Sequence, residues 1–227
     1  MHIKSAIENQ VIYCLRLFGL EIKQKGAKNI FTKVSTLPTE KVTTLIDIGI
    51  GTYGTLDLYK FFPNARFIFI DPIIECQSAV KSYLDQNEEN IFINTALGSE
   101  NGEALINVAR NFGFSSFLDR HNLTSARKET KEQRQVPIKR LDDVLNNLSI
   151  QPPIAIKIDT EGFELEVLKG APLILKKALI VIVEFHGGTD INPDHSLQDI
   201  IDHMVNAGFL SCFMLPDGMN IVFLKNT

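Results

Sequence analysis

The chain has 227 residues, enough for one α/β domain with a sizeable core and too few for two large domains. Its 23 lysines and arginines stand against 27 acidic residues, and 44% of it is hydrophobic, which excludes an electrostatic nucleic-acid binder and a disordered chain and predicts a soluble globular protein. Cys14, Cys76 and Cys212 are odd in number and widely spread, without CxxC or Cys/His ligand spacing, so the pattern fits a reducing cytoplasm rather than a disulfide framework or zinc site.

No apolar run reaches the ~18–20 residues that span a bilayer, and Met1 to Leu20 lacks a secretory apolar core followed by a small-residue cleavage site. Ile7, Val11, Ile12, Leu15, Phe18 and Ile22 recur at helical spacing, which predicts a helix that packs on the domain or makes a homodimer contact, with a membrane-surface helix as the alternative. Residues 25–41 carry Gly26, Asn29, Ser35 and Pro38 without sustained period and read as a connector. The main domain is therefore expected over residues 42–227.

From there apolar, β-branched runs alternate with amphipathic stretches. Thr44 to Ile50, Arg66 to Ile70, Ile91 to Ala96, Ile154 to Ile158 and Leu179 to Phe185 read as buried strands. Tyr53 to Phe62, Ile74 to Gln86, Leu141 to Leu148 and Phe163 to Lys169 read as crossover helices, and the alternation predicts a mostly parallel sheet covered on both faces. Residues 109–135 contain a polar, charged interval expected to be a mobile insertion above the sheet. Ser196 to Asn206 has a helical pattern, and Phe209 to Met214, Pro216-Asp217-Gly218 and Asn220 to Leu224 predict a terminal antiparallel hairpin.

Two runs carry chemistry. Asp47-Ile48-Gly49-Ile50-Gly51-Thr52-Tyr53-Gly54 is a GxGxxG loop after a strand and before a helix, and Asp71 ends the next strand about 20 residues beyond Gly51, where a carboxylate can accept hydrogen bonds from ribose hydroxyls. An adenosine-containing cofactor is expected. Asp47 beside the glycines, with no lysine or arginine in the loop, suits the cationic methionine end of S-adenosylmethionine and opposes the pyrophosphate of NAD. The second run, Lys157-Ile158-Asp159-Thr160-Glu161-Gly162-Phe163-Glu164, ends an apolar strand in carboxylates at the edge where parallel sheets bind ligands; its bland reading is that Glu161 caps the helix and Lys157 pairs locally.

With these residues in view the sequence resembles the FkbM family of S-adenosylmethionine-dependent methyltransferases, through Lys157 to Ala171, the glycine loop and Asn94-Thr95-Ala96-Leu97-Gly98. The resemblance covers about Thr44 to His186 and implies a seven-stranded, class I methyltransferase Rossmann-like sheet and O-methyl transfer to sugars or natural products. It assigns Asp47, Gly49 and Gly51 to the methionine portion, Asp71 to the ribose and Asn94, Ala96 and Leu97 to the adenine side, with Tyr53 and Pro72 flanking the cofactor set. Asp159 and Glu161 fall near the transfer site, and Ser115 and Ser116 match a serine pair on the substrate side. The loop departs from the commoner DVGANxGxxS form, with Ile50 and Gly51 in place of Ala-Asn and Thr55 near the usual serine.

A hydroxyl acceptor must also lose its proton. Glu184 and His186 end the next strand at i, i+2 spacing, which makes His186 the first candidate base, oriented by Glu184 or Glu161, against the bland reading of a histidine that satisfies the Gly187-Gly188 loop. The same carboxylates with His186 suit a hard cation equally well by ligand type, but the resemblance requires none and no metal is assigned. His121, His195 and His203 are expected in surface or capping roles. The competing readings are an NAD-dependent oxidoreductase and a non-catalytic binding module that kept the fold.

Overall fold

A computed structural model describes residues 34, 36–118, 129–185, 194–215 and 217–225. The expected N-terminal helix and the tip of the insertion lie outside these residues. In chain order the elements are β1 (Thr44–Ile48), α1 (Leu56–Tyr59), β2 (Arg66–Ile70), α2 (Lys81–Gln86), β3 (Ile91–Ile93), β4 (Ala96–Leu97), β5 (Gly102–Ala109), β6 (Thr130–Lys139), α3 (Leu141–Leu145), β7 (Ile154–Ile158), α4 (Glu164–Lys169), α5 (Pro172–Lys177), β8 (Ala178–Glu184), α6 (Leu197–Asn206), β9 (Ser211–Met214) and β10 (Asn220–Leu224).

Seven strands form one sheet in the order β3-β2-β1-β7-β8-β10-β9. All its pairs are parallel except those of β10, which runs antiparallel to β8 and β9. This is the class I methyltransferase sheet. β1 and β7 are buried along their whole length, because helices cover both faces and leave no polar side to alternate with. Ile46, Ile48, Ile68, Ile156 and Ile158 face one core with α4, α5 and α6, while Leu45, Phe67, Phe69 and Ala155 face a second with Leu58, Tyr59 and Phe62. Chain order reverses between β2–β1 and β1–β7, which opens a crevice at the carboxyl ends of these strands.

The expected strands and helices are present, several with shorter bounds and Arg66–Ile70, Ile154–Ile158 and Asn220–Leu224 with the expected ones, and three departures have local causes. The run Ile91 to Ala96 divides, because Ala96–Leu97 leaves the edge of the large sheet to pair with Ile138 and Lys139 of β6. The interval read as a loop from residue 109 contributes most of β6, whose backbone pairs antiparallel with β5 despite its polar side chains. Together β4, β6 and β5 form a second, three-stranded sheet with its own core around Ile73, Ala96, Ile106, Val108 and Val136. The helix α5, to which the sequence reading gave no element, starts with Pro172 at its first turn, where a missing N–H costs nothing.

The end of the chain follows its local signals. Ser196 and Asp199 form a reciprocal capping box that starts α6. Asp217 accepts from the N–H groups of Met219 and Asn220, and Gly218 takes a positive φ of 72° to turn the chain into β10. Among the described residues no helix is long and apolar enough to cross a membrane.

Candidate active site

The crevice at the ends of β1, β2 and β7 is roofed by the small sheet and encloses about 540 Å³ of space open to solvent. Gly49 and Gly51 line one wall, Pro72, Ile73, Thr95, Ala96 and Leu97 a second, and Phe112, Gly113, Ser115, Ser116 and Phe117 the roof. Asp71, Asp159 and Glu161 are the ionisable residues of this lining, and all are acidic.

Gly49 is obligatory for the junction of the two chemical runs. At φ 79° its added Cβ would sit 1.8 Å from the Asp159 carbonyl oxygen, so the glycine loop and the end of β7 touch through bare backbone. Gly51, at φ 62°, meets Gly113 of the roof in the same manner, with a Cβ contact of 2.8 Å. Thr52 donates its hydroxyl to Asn111 Oδ1 at 2.5 Å, which ties the roof to the loop.

Asp71 closes the other side of the loop. Its Oδ2 accepts from the N–H groups of Ile50 at 2.9 Å and Gly51 at 3.1 Å, and its Oδ1 accepts from Ile73 N–H at 2.8 Å. These three donors occupy most of the roughly four acceptor sites of a carboxylate, so one site is left for a ribose hydroxyl. Burial raises the Asp71 carboxyl to about 6, against the opposing pull of the backbone donors.

Asp47 points away from the crevice. Ile46 and Ile48 belong to one core, so alternation along β1 turns Asp47 to the other, where it accepts from the Tyr59 hydroxyl. Its second oxygen, Oδ1, is buried without a hydrogen-bond partner, and burial lifts the carboxyl to about 6 despite the Tyr59 hydrogen bond and the nearby Lys157 charge.

Behind the floor of the crevice Lys157 is 1% exposed and lies 3.3 Å from Glu184 Oε2 and 3.6 Å from Asp159 Oδ2. Burial works against its ammonium, but the charges of Asp159, Glu184 and Asp47 outweigh it and hold the lysine above its usual range. Asp159 is shifted well above the carboxylate range by burial, against Lys157, with Glu184 and Glu161 adding to the rise.

The turn after β7 is held by side chains that the sequence reading treated as peripheral. Glu161 has φ 53°, a left-handed conformation costly for a residue with a Cβ. Ser116 donates to its carbonyl oxygen at 2.7 Å. Glu164, fully buried, accepts through Oε1 from Gly162 N–H at 2.9 Å and from Thr160 N–H at 3.1 Å, so it is Glu164 rather than Glu161 that caps this turn. His195 is not a surface or capping residue: its Nε2 sits 3.7 Å from Glu164 Oε2 in a buried contact, and Ser196 takes the cap. Burial holds the His195 imidazole below its usual value, against the Glu164 charge.

The expected site residues therefore divide. Gly49, Gly51, Asp71, Pro72, Ala96, Leu97, Ser115, Ser116, Asp159 and Glu161 line the crevice together. Asp47 and Glu184 lie outside its lining, Tyr53 is 69% exposed, and Asn94 donates instead to the Asp71 carbonyl oxygen at 2.9 Å. Ser115 accepts from Ala109 N–H at 3.1 Å and helps shape the roof. His186 lies outside the described residues. Phe112, Gly113 and Phe117 were missed; the apolar Phe112-Gly113-Phe114 cluster at the start of an otherwise polar interval was the signal. Among the described residues no group of three or more His, Cys, Asp or Glu is placed to hold a metal ion.

A stretch of 49 residues is 43% identical to the hexuronic acid methyltransferase AglP of Haloferax volcanii; it covers 22% of this chain and spans 20% of that protein's length. Among solved structures the chain is similar to a precorrin-6y C5,15-methyltransferase from Geobacter metallireducens, at 10% identity and TM-score 0.44 over 91% of this chain and 94% of that one. It is also similar to the N-terminal domain of human METTL16 in complex with SAH, at 16% identity and TM-score 0.42 over 99% of this chain and 83% of that one. The methyltransferase FkbM domain model matches residues 51–211, most of the chain, and the protein belongs to that methyltransferase family.

Proposed function

We propose that the protein binds S-adenosylmethionine and transfers its methyl group to a hydroxyl of a small molecule, with a saccharide as the leading acceptor class. The observation that carries the donor assignment is the lining of the crevice, where every described ionisable residue is acidic. A sulfonium and an ammonium gain from such surroundings, whereas the pyrophosphate of NAD would face Asp71, Asp159 and Glu161 without a cation in the described lining. The fit extends to the apolar wall of Ile73, Ala96 and Leu97, which suits a flat heterocycle, and to the bare backbone at Gly51.

The bound cofactor supplies an electrophilic methyl carbon. The chain's own residues supply position and charge: the glycine loop, held by Asp71, shapes the donor side, and Asp159 and Glu161 set the negative charge at the acceptor side. Saccharide as the acceptor class is supported by the name of the Haloferax relative. Isothermal titration with S-adenosylhomocysteine, with NADH in parallel, tests the donor. Micromolar binding of the former alone supports it; binding of NADH alone transfers the site to an oxidoreductase, and binding of neither favours a module without catalysis.

A further inference from the structure

A hydroxyl acceptor must lose a proton, and the described residues hold a group suited to take it. Asp159 and Glu184 both lie within ion-pair reach of the single ammonium of Lys157. One buried cation offsets one of the two negative charges, and burial disfavours leaving the second uncompensated, so the pair is suited to hold one proton. Asp159 lines the crevice, with 28% of its side chain exposed, while Glu184 sits behind it at 15%. Two acidic groups on one buried cation, with Asp159 opening to the cleft, make a unit that exchanges a single proton with whatever occupies the cleft.

We propose that Asp159 and Glu184 share one proton above Lys157 and that this pair accepts the proton of the acceptor hydroxyl, Asp159 at the cleft end, with Lys157 as the positioning residue that keeps the pair singly charged. The proposal rests on the methyl-transfer reading. The O–H bond of the acceptor breaks, its electron pair remains on oxygen for the new O–C bond, and the proton moves to the ionised oxygen of the pair. The methyl donor departs as a neutral thioether, so charge balances. The surrounding titratable groups are Asp47 from β1, the register partner of Lys157 on the neighbouring strand, with Tyr59 hydrogen-bonded to it, and Glu161 from the turn after β7. The raised range of Asp159 and the raised range of Lys157 agree with one retained proton and one retained cation.

The test combines infrared spectra of the full chain with pH–rate profiles. A protonated-carboxyl band at neutral pH that disappears in Asp159→Asn is expected. Lys157→Met should enlarge that band and move the acid limb of the rate profile up by about one pH unit or more, because the pair takes up a second proton. Glu184→Gln, nearly isosteric and so protected from misfolding, should abolish the shared proton and move the limb down by a similar amount, since Lys157 is then left facing Asp159 alone. Opposite limb shifts are a signature that lost packing would not produce. Absence of the Asp159 band in the wild-type chain, or limbs that move together or not at all, overturns the proposal. Failure to bind S-adenosylhomocysteine overturns the methyl-donor reading instead, and the infrared band still decides whether the carboxyl pair exists.

Discussion

Ser116 donates its hydroxyl to the main-chain carbonyl oxygen of Glu161 at 2.7 Å, and Glu161 is the non-glycine residue, among those described, that adopts a positive φ. This bond joins the roof to the turn after β7. Ser116 also bridges to Asn107 of β5 through backbone, so the small sheet, the strained turn and the crevice are one mechanical unit.

Ser116→Ala removes the bond and leaves a buried carbonyl short of a donor. A loss of about 1–3 kcal/mol in urea unfolding is expected, together with weaker S-adenosylhomocysteine binding. Equal denaturation midpoints for variant and wild type would show that the contact contributes nothing to the turn.

Gly49→Ala places a methyl group 1.8 Å from a backbone oxygen in a conformation already unfavourable to alanine. The expected outcome is a protein that fails to fold or loses donor binding. Gly102→Ala is the control: its Cβ meets nothing within 4 Å, and its melting curve should match wild type to within about 0.5 kcal/mol.

Asp71→Ala deprives Ile50, Gly51 and Ile73 of the acceptor for their N–H groups. Reduced thermal stability and at least a tenfold loss in calorimetric affinity for S-adenosylhomocysteine are expected, roughly 1.4 kcal/mol. Lower stability with unchanged affinity would confine Asp71 to holding the loop and overturn its assignment to the ribose.

Asp47 and Asp71 both titrate near pH 6 in the fold, above the usual 3.8 of an aspartate. A carboxyl that holds its proton more tightly when folded adds stability below the unfolded value and loses it as pH rises through the folded one. Stability should therefore fall between about pH 4 and pH 6, by up to roughly 3 kcal/mol for each group. Asp47→Asn should flatten this slope in urea midpoints taken across the range. A slope as steep as wild type would place the proton elsewhere.

The large sheet was legible because buried parallel strands leave continuous apolar runs: Arg66–Ile70 and Ile154–Ile158 have the bounds that the sequence reading assigned to them. Gly49, Gly51, Asp159 and Glu161 were legible because motif spacing places backbone and carboxylates at strand ends. The small sheet was not, because the strand Thr130–Lys139 has mostly exposed side chains and draws its order from pairing with β5. A polar run carries no hydrophobic period to announce such a strand.

The sequence by itself determined the class of protein, the alternation of its strands and helices along the chain and the presence of two acidic runs at one edge of the sheet. Which way each acid points was decided by tertiary structure. Asp47 precedes the glycine loop in sequence yet faces Tyr59 behind the sheet, and His195 lies far along the chain yet meets Glu164 in the core. Lys157 and Glu184 come together because β7 and β8 are neighbours in the sheet. These relations depend on strand register and on which face a side chain takes, and both follow from packing against residues distant in sequence.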